Sequence, residues 1–355
     1  MRASGWLVGA GAFAAGLAVL AVGLELSGYD SAAALGALWS GAFGSWYALT
    51  SATLVRAAPL IVISLGLALG FRAGAFNIGG EGQFYAGAIA ATWIGLQVGG
   101  LPWPLAVAAV LSASLLAGGL WVAIPVLLRL RYGVLEVIST LLLNFVAEAL
   151  TSLLVQGPLQ ESQHIYPQSD PIVESARLPV LSGTRLHAGL LLAVALALAL
   201  QWTFSRTLWG FRLRAAGIGP RAAEIAGRID SKRMAALALA LSGAIAGLAG
   251  GVEVAGVSYA LFQNLSPGYG FTAIAVALLA RLHPLGVVLA GLLFGALEAG
   301  AGAMQRDAGV PAVAVYVVEA VVILAMLLAE SARRHGATTV AALGLAGRSG
   351  RKAHG

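Results

Sequence analysis

Apolar runs of about twenty residues, separated by isolated cations and short polar segments, recur along the whole chain. A run of that length crosses a bilayer as a helix. Ten spans are predicted, at residues 5–24, 47–70, 83–98, 104–128, 134–155, 188–204, 234–257, 259–282, 285–303 and 312–331. The eighth is the weakest, because Gln263, Asn264 and Pro267-Gly268 break its outer half. The pattern predicts an all-α polytopic integral membrane protein of about ten transmembrane helices, a single transmembrane domain over residues 1–355. The first apolar run exceeds the 7–15-residue core usual in a cleaved signal peptide, so it is expected to remain as a span.

The cations orient these spans. With the N-terminus inside, Arg2, Arg72, Arg129, Arg131, seven cations from Arg206 to Arg233, Arg281 and the tail cations Arg333 to Lys352 all face the cytoplasm. That is 17 of the 21; only Arg56, Arg177, Arg185 and Arg306 fall elsewhere. The positive-inside rule then puts both termini in the cytoplasm. Composition agrees, at 59% hydrophobic and 10% charged, against about 45–50% and about 25% in soluble domains. Absence of cysteine removes disulfides and thiolate-held metals, and no metal site is expected. The net charge of +6 lies in short loops beside apolar spans, without the basic face of a nucleic-acid binder.

Two segments are long and polar. Residues 156–187 carry Pro158, Pro167, Pro171 and Pro179 with Glu161, Asp170 and Glu174, and are expected to form an ordered external loop, either a connector or a docking surface. Residues 205–233 are expected in the cytoplasm. There Pro220 suits the first turn of a short helix that Gly227 stops, and spacing alone favours a solvated linker over a lever pressed by another subunit.

Ionised side chains are costly within a bilayer and so face protein or water. Glu136, Thr140, Asn144, Glu148 and Ser152 recur every fourth position, drifting only about 40° per step, and form a slowly winding polar stripe on one helix. Such a stripe lines an aqueous path or forms a helix–helix seam, and its two carboxylates favour the path. Glu253, Glu298 and Glu319 occupy the outer parts of later spans, with Arg306 between two of them; charge pairing and a substrate role both fit. A proton relay is disfavoured, because all five histidines fall in loops or the tail. The segment 70–91, GFRAGAFNIGGEGQFYAGAIAA, sets Gly74, Gly79, Gly80 and Gly82 around Asn77 and Glu81 and cannot be a stable helix interior. It is a broken helix of the kind that builds transporter sites, or a cytoplasmic turn. No GxxxxGK[ST] phosphate loop occurs.

FRAGAFNIGGEGQ at 71–83, EVISTLLLNFVA at 136–147, LRAAGIGPRAAEIAGRI at 213–229 and GYGFTAIAVALLARLHPLGVVLAGLLFGAL at 268–297 together resemble permeases of the ABC importers for nucleosides and simple sugars. These belong to the wider branched-chain amino-acid and ribose permease group. The resemblance covers about residues 54–328. One departure is Leu135, where that subgroup usually carries Asn before the Glu of EVIST, which bears on substrate identity.

The resemblance implies a non-catalytic permease subunit in a bacterial inner membrane that binds no cofactor, with ATP and Mg held by a partner ATPase. A second permease, in a heterodimer, would complete the pore and an external lipoprotein would deliver ligand. It also turns Pro220, Arg221, Ala222, Ala223, Glu224, Ala226, Gly227 and Arg228 from a linker into a coupling helix. Asn77, Glu81, Gln83, Asn144, Tyr259 and Asn264 are candidates for hydrogen bonds to substrate, Phe76 and Tyr85 for stacking, and Glu136, Thr140 and Glu148 for the path wall. The competing expectation is an ion-gradient-driven carrier of a small polar solute using Glu148, Glu253, Glu298 and Glu319.

Overall fold

The computed structural model describes residues 3–311 and positions 316, 317, 320 and 324, with side chains from residue 14 onward except at 226. The tenth predicted span with Glu319, the tail cations and Arg2 lie outside the described residues apart from those four positions. Among the described residues every regular element is helical, and the only β pairing is two isolated bridges, Gln168 to Phe262 and Val180 to His187.

Among the described residues twelve helices of eight residues or more follow in order: α1 (Ala3–Leu26), α2 (Ser31–Phe43), α3 (Trp46–Arg72), α4 (Gly80–Gly95), α5 (Trp103–Tyr132), α6 (Glu136–Val155), α7 (Gly189–Arg206), α8 (Leu208–Ile218), α9 (Pro220–Gly227), α10 (Ser231–Ser258), α11 (Tyr269–Leu279) and α12 (Pro284–Ala308). Two compact units divide them: residues 1–39 with 301 onward, and residues 40–300. In the first, Asp30 caps α2 by accepting the Ala33 N–H at 2.9 Å. The second holds every candidate site.

Six of the described helices, α3, α5, α6, α7, α10 and α12, are long and apolar enough to cross a membrane. The predicted spans at 83–98 and 259–282 are corrected. The first is the 16-residue α4, about 24 Å long, and the second is the 11-residue α11 behind ten residues without regular helix. Both fall short of the roughly 30 Å apolar thickness. The physical cause is backbone. α4 starts at Gly80, directly after the glycine turn, and stops at Gly95, so its bounds shift by three residues without lengthening, and Pro267-Gly268 interrupts a run whose apolarity alone predicted a full span.

α3 and α10 form the centre. Residues 57–70 and 242–256 are buried without interruption, as expected of helices apolar on every side. They run antiparallel, with Gly66 against Ser242 and Ile245. α12 runs antiparallel to α3, Gly291 lying against Ile61 and Gly295 against Ala57. α5, α6 and α7 instead expose Leu120, Leu127, Leu142, Phe145, Leu191 and Leu198, the surface that lipid or another apolar partner covers.

One end of this unit carries residues 156–187, an irregular strap. Its backbone N–H groups at Ser169, Ile172 and Leu178 donate to the carbonyls of Leu261, Tyr259 and Ala255 at 2.7–2.8 Å. Arg185 N–H reaches the Ser51 hydroxyl, and the Trp103 indole reaches the Arg177 carbonyl. The opposite end carries α8 and α9, with Gly217 against the Arg72 carbonyl.

Candidate functional site

The turn between α3 and α4 is held by side chains, because its backbone has no helix to satisfy it. Asn77 and Gln83 exchange reciprocal amide hydrogen bonds at 2.8 and 2.9 Å, Asn77 also donates to the Ser242 hydroxyl, and its oxygen accepts the Gly79 N–H. From α6, the Thr140 hydroxyl oxygen accepts the Ile78 N–H, and Asn144 accepts from Gly82 N while donating to the Ile78 carbonyl. Glu136 accepts the Phe76 N–H and pairs with Arg129 at 2.7 Å. The five stripe positions thereby divide in two: Glu136, Thr140 and Asn144 form a seam with this turn, whereas Ser152 and the exposed Glu148 line a cleft.

α4 and α11 begin at the same place. The Glu81 carboxylate, 2% exposed, accepts the Gly270 N–H at 2.6 Å, the second residue of α11. The Ser266 hydroxyl bonds the same carboxylate and accepts from Gly268 and Tyr269 N–H. A Cβ on Gly270 would lie 2.1 Å from Glu81 N, so only glycine allows this approach. From here the helices diverge. α4 ends at Gly95, whose carbonyl accepts Val173 N–H from the strap, whereas α11 leads into the start of α12, level with the α8–α9 end. Two positive helix N-termini thus converge on one buried carboxylate.

Above Glu81 lies a cleft of about 230 Å³ lined by Tyr85, Glu148, Thr151, Ser152, Gln263 and Asn264. Tyr85 forms its floor: the phenol oxygen accepts Ser266 N–H, and its ring is 2% exposed, edge-on to Phe84. The Gln263 amide donates to the Ser152 hydroxyl, tying the 259–268 segment to α6. Glu148 is within electrostatic reach of both Glu81 and Tyr85.

Of the predicted path residues the structure gathers Tyr85, Glu148 and Asn264 in the cleft and sets Glu81 beneath it. Asn77, Gln83 and Asn144 are at most 1% exposed and bonded to protein. Phe76, 53% exposed, packs 5.5 Å from Phe71 beside Glu136, so it and Tyr85 share no pocket. Tyr259 lies under the Arg177 guanidinium, 4.7 Å from ring centre to cation. Glu253 is 6% exposed, within reach of Arg56 and Arg185, with one carboxylate oxygen lacking a hydrogen bond. Thr151, Gln263 and Ser266 were not among the predicted site residues. The only sequence signal for the latter two is their position beside the Pro267-Gly268 break.

In the second segment, α9 has the predicted bounds Pro220–Gly227, and Arg228 ends it in the left-handed region at φ 49°. Ser231 hydroxyl donates to the Pro220 carbonyl and closes the turn. Ala223 faces inward, 7% exposed, against Ala216 and Ile229. Arg221, Ala222, Glu224 and Ile225 face outward, Ile225 being 85% exposed. Ile225 is absent from the predicted coupling set, although its apolar side chain is the most prominent on the helix.

Residues 49–329 match the family described as branched-chain amino acid transport system / permease component. The chain is 38% identical over 332 residues to a glucose ABC transporter permease protein of Haloferax volcanii, covering 90% of this chain and 87% of that one. It is also 38% identical to a guanosine ABC transporter permease protein of Bacillus subtilis, over 87% and 89% of the two chains. A nucleoside ABC transporter permease protein of Lactococcus lactis is 34% identical over 76% and 77%. No solved structure matches significantly.

Proposed function

Because this chain belongs to the family of branched-chain amino acid transport system permease components, we propose that it forms half of the translocation path of an ABC importer for nucleosides or a related simple sugar. The observation that carries this reading is Glu148. It is exposed on the thirteenth residue of the 20-residue α6, at a depth where an ionised group facing lipid costs about 2.5–3.5 kcal/mol. A second permease subunit set against this face turns that liability into one wall of a polar path.

The remaining parts follow the same reading. The cation distribution supports ten crossings with both termini cytoplasmic, in a bacterial inner membrane, two of them made by an irregular segment followed by the short α4 or α11 rather than by one full helix. α9 then faces the cytoplasm, where its outward residues Arg221, Ala222, Glu224 and Ile225 dock on a separate ATPase that holds ATP and Mg. The strap at 156–187 faces outward, toward a lipoprotein that delivers ligand. Motion of the ATPase reaches the cleft through Gly217 against Arg72, then α3 and the Asn77 turn, to Glu81 and the paired N-termini.

The test is reconstitution with the ATPase, second permease and binding protein in proteoliposomes. ATP-dependent uptake of guanosine or glucose is expected, insensitive to ionophores. Uptake that instead collapses with the ion gradient and ignores ATP would establish the secondary carrier. Since the chain has no cysteine, Glu148→Cys serves as a single reporter, expected to cross-link to the second permease.

A further inference from the structure

We propose that the cleft beside Glu148 is a hydroxyl-reading subsite that takes the sugar ring of the cargo and distinguishes it by a pair of adjacent hydroxyls; this rests on the reading of the chain as a permease half. The chemistry of the lining decides the class of ligand. Its six residues comprise one carboxylate, two carboxamides and three hydroxyl-bearing side chains, with no Lys, Arg or His and no aliphatic side chain. A carboxylate accepts and never donates, and its two oxygens match two neighbouring O–H groups. A phosphate or carboxylate ligand would meet only repulsion from Glu148.

A flat base does not fit the same place. The Tyr85 ring is covered and presents only its oxygen, so there is no aromatic face to stack on. At about 230 Å³ the cleft is also smaller than the roughly 300–1,000 Å³ of a pocket for a whole drug-sized ligand. It suits a furanose or pyranose ring, with the rest of the cargo against the facing subunit. The lining groups are preset: Gln263 is held by Ser152, and Tyr85 by Ser266. A ribonucleoside and a free hexose present the same adjacent hydroxyls, so both are covered by this chemistry.

The test uses the complete importer, with each compound supplied above saturation of the external binding protein. Uptake of guanosine is compared with 2′-deoxyguanosine, and of glucose with 3-deoxyglucose. In wild type the fully hydroxylated member of one pair is expected to move about tenfold faster, the size of a lost hydrogen bond to a charged group; the pair that shows it identifies the ring. Glu148→Gln and Glu148→Ala, at an exposed position, should slow that member more than its deoxy partner, which has only one of the two hydroxyls to lose contact with, and so erase most of the preference. Equal slowing of both members, or a ratio that Glu148→Ala leaves unchanged, would overturn the subsite. Failure of wild type to carry any of the four compounds with ATP would overturn the importer reading and the subsite with it.

Discussion

Gly270 donates its backbone N–H to the Glu81 carboxylate at 2.6 Å across 189 positions of sequence, so the first turns of two short helices are fastened to one acid. Neither helix spans a bilayer by itself. Without that acceptor the Gly270 N–H would be orphaned in the interior, while Ser266 and Asn144 take the Tyr269 and Gly82 N–H groups. The pairing explains how the chain tolerates two interruptions near its centre.

Glu81→Ala should therefore destabilise the protein by about 1.5–3 kcal/mol, the worth of a charge-assisted hydrogen bond, and abolish transport. Glu81→Gln keeps an acceptor and should lose less. Thermal unfolding of the purified protein in detergent measures both; an alanine variant that melts like wild type would refute the fastening role.

Asn77→Ala strands the Gln83 amide, and Asn144→Ala strands Gly82 N–H and the Ile78 carbonyl. Each should cost about 1–3 kcal/mol, with the surviving protein keeping its KM. A raised KM at unchanged melting temperature would instead place these amides on the substrate.

Helix crossings set a steric test. A Cβ on Gly87 would lie 2.0 Å from the Gly247 carbonyl, whereas one on Gly100 meets nothing within 4 Å. Gly87→Ala should prevent assembly of α4 on α10, and Gly100→Ala should be neutral, as read by monodisperse yield after extraction.

Coupling should depend on the outward face of α9. Ile225→Asp and Glu224→Arg are expected to cut substrate-stimulated ATP hydrolysis several-fold without lowering the melting temperature, because both side chains are exposed. Ala223→Arg should lower stability as well, since Ala223 packs on Ala216 and Ile229. Hydrolysis in proteoliposomes that ignores Ile225→Asp would remove α9 from the ATPase contact.

The strap at 156–187 carries a pH dependence. Burial holds the His187 imidazole down at about 4 from an ordinary 6.5. Hydrogen bonds from Gln168 and the Tyr166 N–H lower Glu161, and those from Ser162 lower Asp170. All three shifts mean that the unfolded strap binds more protons, so its stability is full above the unfolded values and falls as pH drops toward the folded ones. For His187 that window runs from about 6.5 down to about 4. Limited proteolysis of the strap should accelerate between pH 7 and pH 4.5, and His187→Asn should flatten the upper part of the response; a rate independent of pH would refute it.

The bounds of α9 were legible because Pro220 and Gly227 are local signals acting on local backbone. The stripe on α6 was legible as a face, since 3.6-residue periodicity fixes which side chains share one. Its meaning was not. Thr140 and Asn144 are absorbed by a turn some sixty residues earlier, and Glu148, one step further, meets none of it.

The sequence by itself determined a helical membrane protein, its family and its glycine-marked breaks, because apolar length and chain conformation are properties of a segment. Tertiary structure alone decided that the short helices α4 and α11 stand where full spans were predicted at 83–98 and 259–282 and share Glu81, and which polar groups face the cleft. Those facts depend on distances between elements far apart in sequence, and a helical period sets the angle of a side chain about its own axis without saying what stands opposite.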